Sequence, residues 1–211
     1  WARLGRGEFI SGEFQRYSRD GREVWLQATY NPILDARGRP TKVVKFASDV
    51  SADKQRTTEF EGKFAAIDRA QGVIEFNLDG TIITANKNFR DVVGYRLDEM
   101  VGKHHRMFCD DEYAASEDYQ LFWKKLAAGE YIADQFKRVA RGGRDIWIQA
   151  SYNPIFDVHG RPIKVIKFAT DITADRQRNA EFEGKVNAID RAQAVIEFDL
   201  KGYIRTANRN F

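Results

Sequence analysis

A lone cysteine, Cys109, excludes any disulfide within the chain. It fits a reducing compartment, and we expect a cytoplasmic protein. No apolar run approaches the ~18 residues of a membrane span, so this segment holds no expected membrane helix. Charge of one sign is scarce: 34 basic and 31 acidic residues leave a net +3, and the two signs are interspersed. A nucleic-acid partner would want basic residues gathered on one face, so none is expected. The chain has no P-loop and no G-x-S-x-G, and its carboxylates are spread over turns and helix starts rather than paired. We therefore expect no enzyme.

What the chain does have is itself, twice. NPILDARGRP at 31–40 returns as NPIFDVHGRP at 153–162, and EFEGKFAAIDRAQ at 59–71 returns as EFEGKVNAIDRAQ at 181–193. The offset is 122 residues throughout, and 54 of the 89 alignable positions are identical without a gap. Residues 90–122 occur once. A unit of this length is too long for a solenoid repeat and has the size of a domain. The register opens and closes within a module, so we expect a section of a longer array. The expected divisions are 1–51, the last three strands of a module; 52–71, a connecting helix; 72–174, a complete module; 175–193, a second connecting helix; and 194–211, the first part of a further module.

Within the complete module, Val73–Asn77 and Thr81–Ala85 read as short strands around an Asp-Gly turn. Asn86 offers an N-cap to a helix at Lys87–Val93, which Gly94 ends. A second short helical segment, Leu97–Val101, stops at Gly102. The run His104–Cys109 follows, and the acids Asp110, Asp111 and Glu112 suit the start of a longer helix at about Tyr113–Ala128. Three hairpin-linked strands close the module over Glu130–Arg141, Asp145–Phe156 and Ile163–Ile172. The middle one sends Ile146, Ile148, Ala150 and Tyr152 to one side and Trp147, Gln149 and Ser151 to the other. The fold class is α+β: a five-stranded antiparallel sheet with short helices on one face.

The connecting segments carry a helical stripe, Phe60, Phe64, Ile67 and Gln71, repeated as Phe182, Val186 and Ile189. Ser51 and Thr173 stand where N-caps belong. Two readings stay open: a helix lying on its own sheet, or a dimeric coiled coil that passes a signal.

This strand order resembles a PAS sensor domain. So does the closing pattern Trp147-Ile148-Gln149-Ala150-Ser151-Tyr152-Asn153-Pro154, with Lys167-Phe168-Ala169-Thr170-Asp171-Ile172-Thr173 after it. The flavour with G-K-H-H-R-M-F is similar to PAS domains of bacterial methyl-accepting, aerotaxis-type chemotaxis receptors. The resemblance implies a cytoplasmic sensor with a pocket between sheet and helices, holding haem, flavin or a small metabolite. It also implies a homodimer or higher oligomer through the modules and connecting helices. The competing expectation is a ligand-free dimerisation and spacer array of a sensor histidine kinase or cyclic-dinucleotide enzyme.

Four residues are candidates for the pocket. His104 and His105 are adjacent imidazoles, and imidazole is a common axial ligand of haem iron. Either one would hold haem b; the alternative for both is capping or hydrogen bonding in the helical segment. Trp147, matched by Trp25, would stack on FAD or donate its N–H to a ligand, or else simply pack the sheet. Asn86 stands where a ligand-facing helix begins, although capping accounts for it too. A cofactor-free module is the remaining alternative. Cys109 reads as a small buried residue, and the lone thiol gives zinc at most a partial ligand set.

Overall fold

The structure, a computed structural model, describes residues 1–211 and divides into two compact units, 1–67 and 68–211. The first unit holds a short helix α1 (Ala2–Gly5) and an antiparallel sheet of β1 (Ile10–Tyr17), β2 (Glu23–Leu34) and β3 (Pro40–Asp49), paired in that order. Helix α2 (Ser51–Ala70) follows.

The second unit carries the five-stranded antiparallel sheet. Strands β4 (Gly72–Phe76) and β5 (Ile82–Ala85) form a hairpin. Helices α3 (Lys87–Val93) and α4 (Leu97–Met100), a 3-10 turn at His105–Phe108, α5 (Asp111–Ala115) and α6 (Glu117–Ala127) come next. Strands β6 (Ile132–Val139), β7 (Asp145–Phe156) and β8 (Pro162–Asp171) close the sheet, whose order is β5-β4-β8-β7-β6. Helix α7 (Thr173–Ala192) leads to a second hairpin, β9 (Ile196–Phe198) and β10 (Ile204–Ala207).

The alternation in β7 places the core. Ile146, Ile148, Ala150 and Tyr152 are all buried, with Tyr152 at 0% exposure. They meet Phe89, Met100, Phe108, Phe122 and Leu126 from the helices, so the core lies between one sheet face and the helical layer. Asn86 caps α3 by accepting the Phe89 N–H at 2.9 Å, and Gly94 ends it at φ 76.

Three local expectations need correction. The helix expected over about 113–128 is broken at Ser116, which adopts extended backbone and caps α6 by accepting the Tyr119 N–H. Its hydroxyl also donates to the Tyr113 carbonyl at 2.7 Å, so one serine satisfies both new helix ends. Thr173 and Ser51 are not N-caps but first helical residues. Their hydroxyls turn back to accept strand N–H groups, from Trp147 at 2.9 Å and from Trp25 at 2.8 Å. Finally, α7 does not lie along its sheet. Arg176 stacks its guanidinium on Trp147 at 3.8 Å and donates to Gln135, holding the first turn against β7 and β6. Beyond that turn Phe182, Val186 and Ile189 stand exposed, and neither α2 nor α7 contains a buried residue. No helix is long and apolar enough to cross a membrane.

Candidate functional site

The segment before the 3-10 turn is stitched to the edge of the sheet. Ile82 N–H donates to Lys103, Gly102 N–H to Ile82, and His105 N–H to the Gly80 carbonyl at 2.9 Å. Gly80 makes this approach possible. It sits at φ +87, and a Cβ there would lie 2.8 Å from both His104 Nε2 and Trp123 Cε2. The stitching fixes two neighbouring histidines with opposite surroundings.

His104 faces a surface cleft of about 380 Å3 with Asp79, Arg106, Tyr119 and Trp123. Its Nε2–H donates to the Asp79 carbonyl at 2.7 Å, and its Nδ1 accepts the Arg106 N–H, capping the 3-10 turn. Burial holds its pKa below the ordinary value. His105 points into the core and is fully buried. Its Nδ1 meets the Tyr119 hydroxyl at 3.0 Å and its Nε2 the Tyr152 hydroxyl at 2.9 Å. Burial, and then the Arg138 and Lys167 charges, push its pKa well below the ordinary value, so the ring is neutral at pH 7. Tyr152 is pushed up to about 12 by burial and stays protonated.

Beyond Tyr152 lie two buried cationic side chains. The Arg138 Nη2 is 3.5 Å from the Tyr152 hydroxyl. Its guanidinium lies 4.7 Å from the Phe136 ring centre and 5.5 Å from that of Tyr113. Lys167 is the direct register partner of both Tyr152 and Ile74, at the middle of the central strand. Its Nζ lies 4.8 Å from the Tyr152 ring centre and 5.1 Å from that of Phe89. Neither Lys167 Nζ nor Arg138 Nε has a hydrogen-bond partner. Burial, reinforced by Arg138, lowers the Lys167 pKa well below its ordinary value.

The structure thus brings His104 and His105 together through Tyr119, whose hydroxyl is also 3.2 Å from His104 Nδ1. It leaves the other two candidates elsewhere. Trp147 is on the outer sheet face beneath Arg176, away from the helical layer. Asn86 is a joint: its Oδ1 accepts from Val73 and Phe89 N–H, and its Nδ2 donates to the carbonyls of Asp68 and Gln71. Cys109 is buried, its Sγ 3.9 Å from His105 Nδ1, and burial raises its pKa.

Haem b does not fit these residues as they are arranged. Both nitrogens of His105 carry tyrosine hydroxyls, and the rings of Phe76, Phe108, Tyr119, Phe122, Trp123 and Tyr152 centre within 6.1 Å of it. Both nitrogens of His104 are likewise engaged. An isoalloxazine ring stacking on Trp147 would have to displace Arg176. No group of three or more His, Cys, Asp and Glu side chains converges in a way that could hold a metal ion.

Sequence reasoning passed over Arg138, Lys167 and Tyr119, and it placed Tyr152 in the core without assigning it a role. A signal was there. Arg138, Tyr152 and Lys167 sit at the same register as Arg16, Tyr30 and Lys45, while Val139, Ile146, Ser151 and Ile166 beside them differ from Tyr17, Val24, Thr29 and Val44.

A family model described as the PAS fold matches residues 69–177, and a second PAS-fold model matches 1–47. The chain belongs to the PAS family. Its relatives include the biofilm dispersion protein BdlA of Pseudomonas aeruginosa strain PAO1, 45% identical over 183 residues, which are 87% of this chain and 44% of that protein. The oxygen sensor protein DosP of Escherichia coli K12 is 28% identical over 189 residues, covering 87% of this chain and 23% of DosP. The chain therefore spans less than half the length of these curated relatives. Among solved structures, a PAS domain from Colwellia psychrerythraea aligns with TM-score 0.48 at 18% identity, over 55% of this chain and 98% of its own. Histidine, tyrosines and buried cations therefore occupy the space between sheet and helices of a PAS module.

Proposed function

We propose that the 72–174 module is a non-catalytic sensory domain of a bacterial chemotaxis-type receptor. It works in the cytoplasm and passes a small-molecule or redox signal into α7, within an assembly of at least two chains. One observation carries this reading: the buried polar cluster and the helix start share two strands. Lys167 on β8 lies four residues before Asp171, whose carboxylate accepts the Thr173 N–H at 2.9 Å. Tyr152 on β7 lies five residues after Trp147, whose N–H ends on Thr173. A change in the cluster therefore reaches the first turn of α7 through two adjacent strands and one threonine. A signal can shift that joint only by binding its two arrangements unequally. The name of DosP, an oxygen sensor, gives the sensory class further support.

The test is amide hydrogen exchange over residues 172–180, in the wild type and in Tyr152→Phe. Altered protection there, with an unaltered melting temperature of the sheet, supports coupling. Unchanged protection sinks it. The visible spectrum of freshly purified protein checks the cofactor: a Soret band would mean that haem b displaces the His105 hydrogen bonds, and a blue flavin band would indicate FAD. A second reading, a ligand-free spacer array of a sensor kinase or cyclic-dinucleotide enzyme, is favoured by the six rings that crowd His105. It predicts exchange at 172–180 that no core substitution alters.

A further inference from the structure

The interior of the second unit contains three buried polar or charged residues, His105, Arg138 and Lys167. Two of them are cationic types, the third is neutral, and no carboxylate is buried with them. Burying lysine and arginine without a counter-charge is costly, and the burial that holds the Lys167 pKa well below its ordinary value leaves an amine that a bound anion would charge and pair. Lys167 Nζ has only the faces of Phe89 and Tyr152, and Arg138 Nε has no partner. Aromatic faces return a small part of the hydration that is lost.

This is not a single accident. In the first unit Lys45 is the register partner of Tyr30 and sits 5.3 Å from its ring centre. Arg16 Nη2 reaches the Tyr30 hydroxyl at 3.3 Å, as Arg138 does that of Tyr152 at 3.5 Å. The same three side chains keep the same pairing in both copies. A constellation retained where it is costly points to a group that compensates it.

We propose that Lys167 and Arg138 bind the carboxylate of a small organic acid held between β7–β8 and the helical layer. This rests on the sensory reading and names the class of ligand. A planar guanidinium and an ammonium are the donors a carboxylate takes best, and the Tyr152 hydroxyl adds a third. The walls select against phosphate. Phe89, Phe136, Tyr113 and Tyr152 surround the cations, so a doubly charged, strongly hydrated ion loses more on entry than a monoanion with an apolar body. Tyr113 and Phe136, the two rings beside Arg138, are only partly buried.

The experiment is thermal unfolding of the 211-residue chain, followed by circular dichroism at constant ionic strength. The probes are acetate and benzoate, with acetamide and benzamide as uncharged counterparts of the same shape. Expected is a rise of several degrees with a carboxylate, and none with either amide, because only the native state binds the anion. Lys167→Met and Arg138→Met should lose the response, and Lys167→Met should melt above the wild type in anion-free buffer. Equal shifts with acids and amides, equal shifts in the variants, or no shift with either acid would each overturn the proposal. The comparison of acids with amides needs only the wild type, so it stands even if a variant does not fold. Exchange at 172–180 judges the sensory reading separately. If the acids leave the melting temperature unmoved while Tyr152→Phe still alters that exchange, the ligand class is wrong and the sensory reading survives.

Discussion

The backbone N–H of Trp147 donates to the side chain of Thr173 over 2.9 Å, and Trp25 does the same to Ser51 at 2.8 Å. In each copy an aspartate two residues earlier, Asp171 or Asp49, accepts the N–H of that same threonine or serine at 2.9 Å. The strand-to-helix joint is thus a side-chain clasp, and it appears twice. Thr173→Val removes the hydroxyl and keeps the shape, leaving the part-buried Trp147 N–H unpaired. We expect a loss of about 1–2 kcal/mol in urea unfolding, with faster amide exchange at Ile172–Arg176. Thr173→Ser should retain both values near wild type.

Asn86 is the corresponding joint at the other end of the connecting helix. Its amide serves two strand or helix N–H groups and the carbonyls that close α2. Asn86→Ala should cost about 2 kcal/mol, more than an ordinary cap, because several partners lose their mate at once. Asn86→Asp should recover the accepting half and not the donating half. Denaturant unfolding of the three proteins checks the order.

His105 makes stability depend on pH. Its folded pKa lies well below its unfolded value of about 6.5, so below that pH the unfolded chain takes up a proton that the folded chain refuses. The His105 share of the stability is then complete above about 6.5 and falls as the pH drops, by up to about 1.4 kcal/mol per unit, until the folded ring also protonates. His104 is shifted the same way and adds to the slope. The carboxylates with lowered pKa values, Asp79 and Asp157 among them, act below about pH 4 and stay outside this window. Lys167, also held well below its ordinary value, adds a slope of the same sign that begins at its unfolded value of about 10.4. Urea unfolding between pH 5 and 8 should show the combined slope, and His105→Gln should remove the share that sets in below about 6.5.

Cys109 is a buried thiol whose pKa is raised by burial. Thiolate is the reactive form, so the native protein should react with a disulfide reagent at pH 8 about a hundredfold more slowly than in urea. A fast native reaction would mean that the 3-10 turn opens readily.

Much of this fold could be read because its signals are local. The Asp79-Gly80 turn, the alternation along β7 and the Asn86 cap depend on residues a few positions apart. The break at Ser116 was not legible, because nothing in an acidic, periodic run says that a serine will take extended backbone. Thr173 and Ser51 misled for a related reason: a hydroxyl before a helix can serve the helix or the strand it has just left. The candidate site was read unevenly. Two adjacent histidines attract notice, yet one is a turn cap and the other a neutral hub. The sequence reading gave Lys167 and Arg138 no role, and only the register across β6, β7 and β8 shows them turned inward.

The asparagine joint has one more consequence. Asn208 repeats it, with Nδ2 on the carbonyls of Asp190 and Gln193 and Oδ1 on the Val195 N–H. A hairpin clasped so closely to the end of α7 must turn as that helix turns. One residue inserted between Asp175 and Asp190 would rotate the β9–β10 hairpin by about 100° and advance it by about 1.5 Å, whereas seven residues would nearly restore its azimuth. The 20-residue length of α7 is therefore a setting of rotational phase as much as of distance for the hairpin it carries.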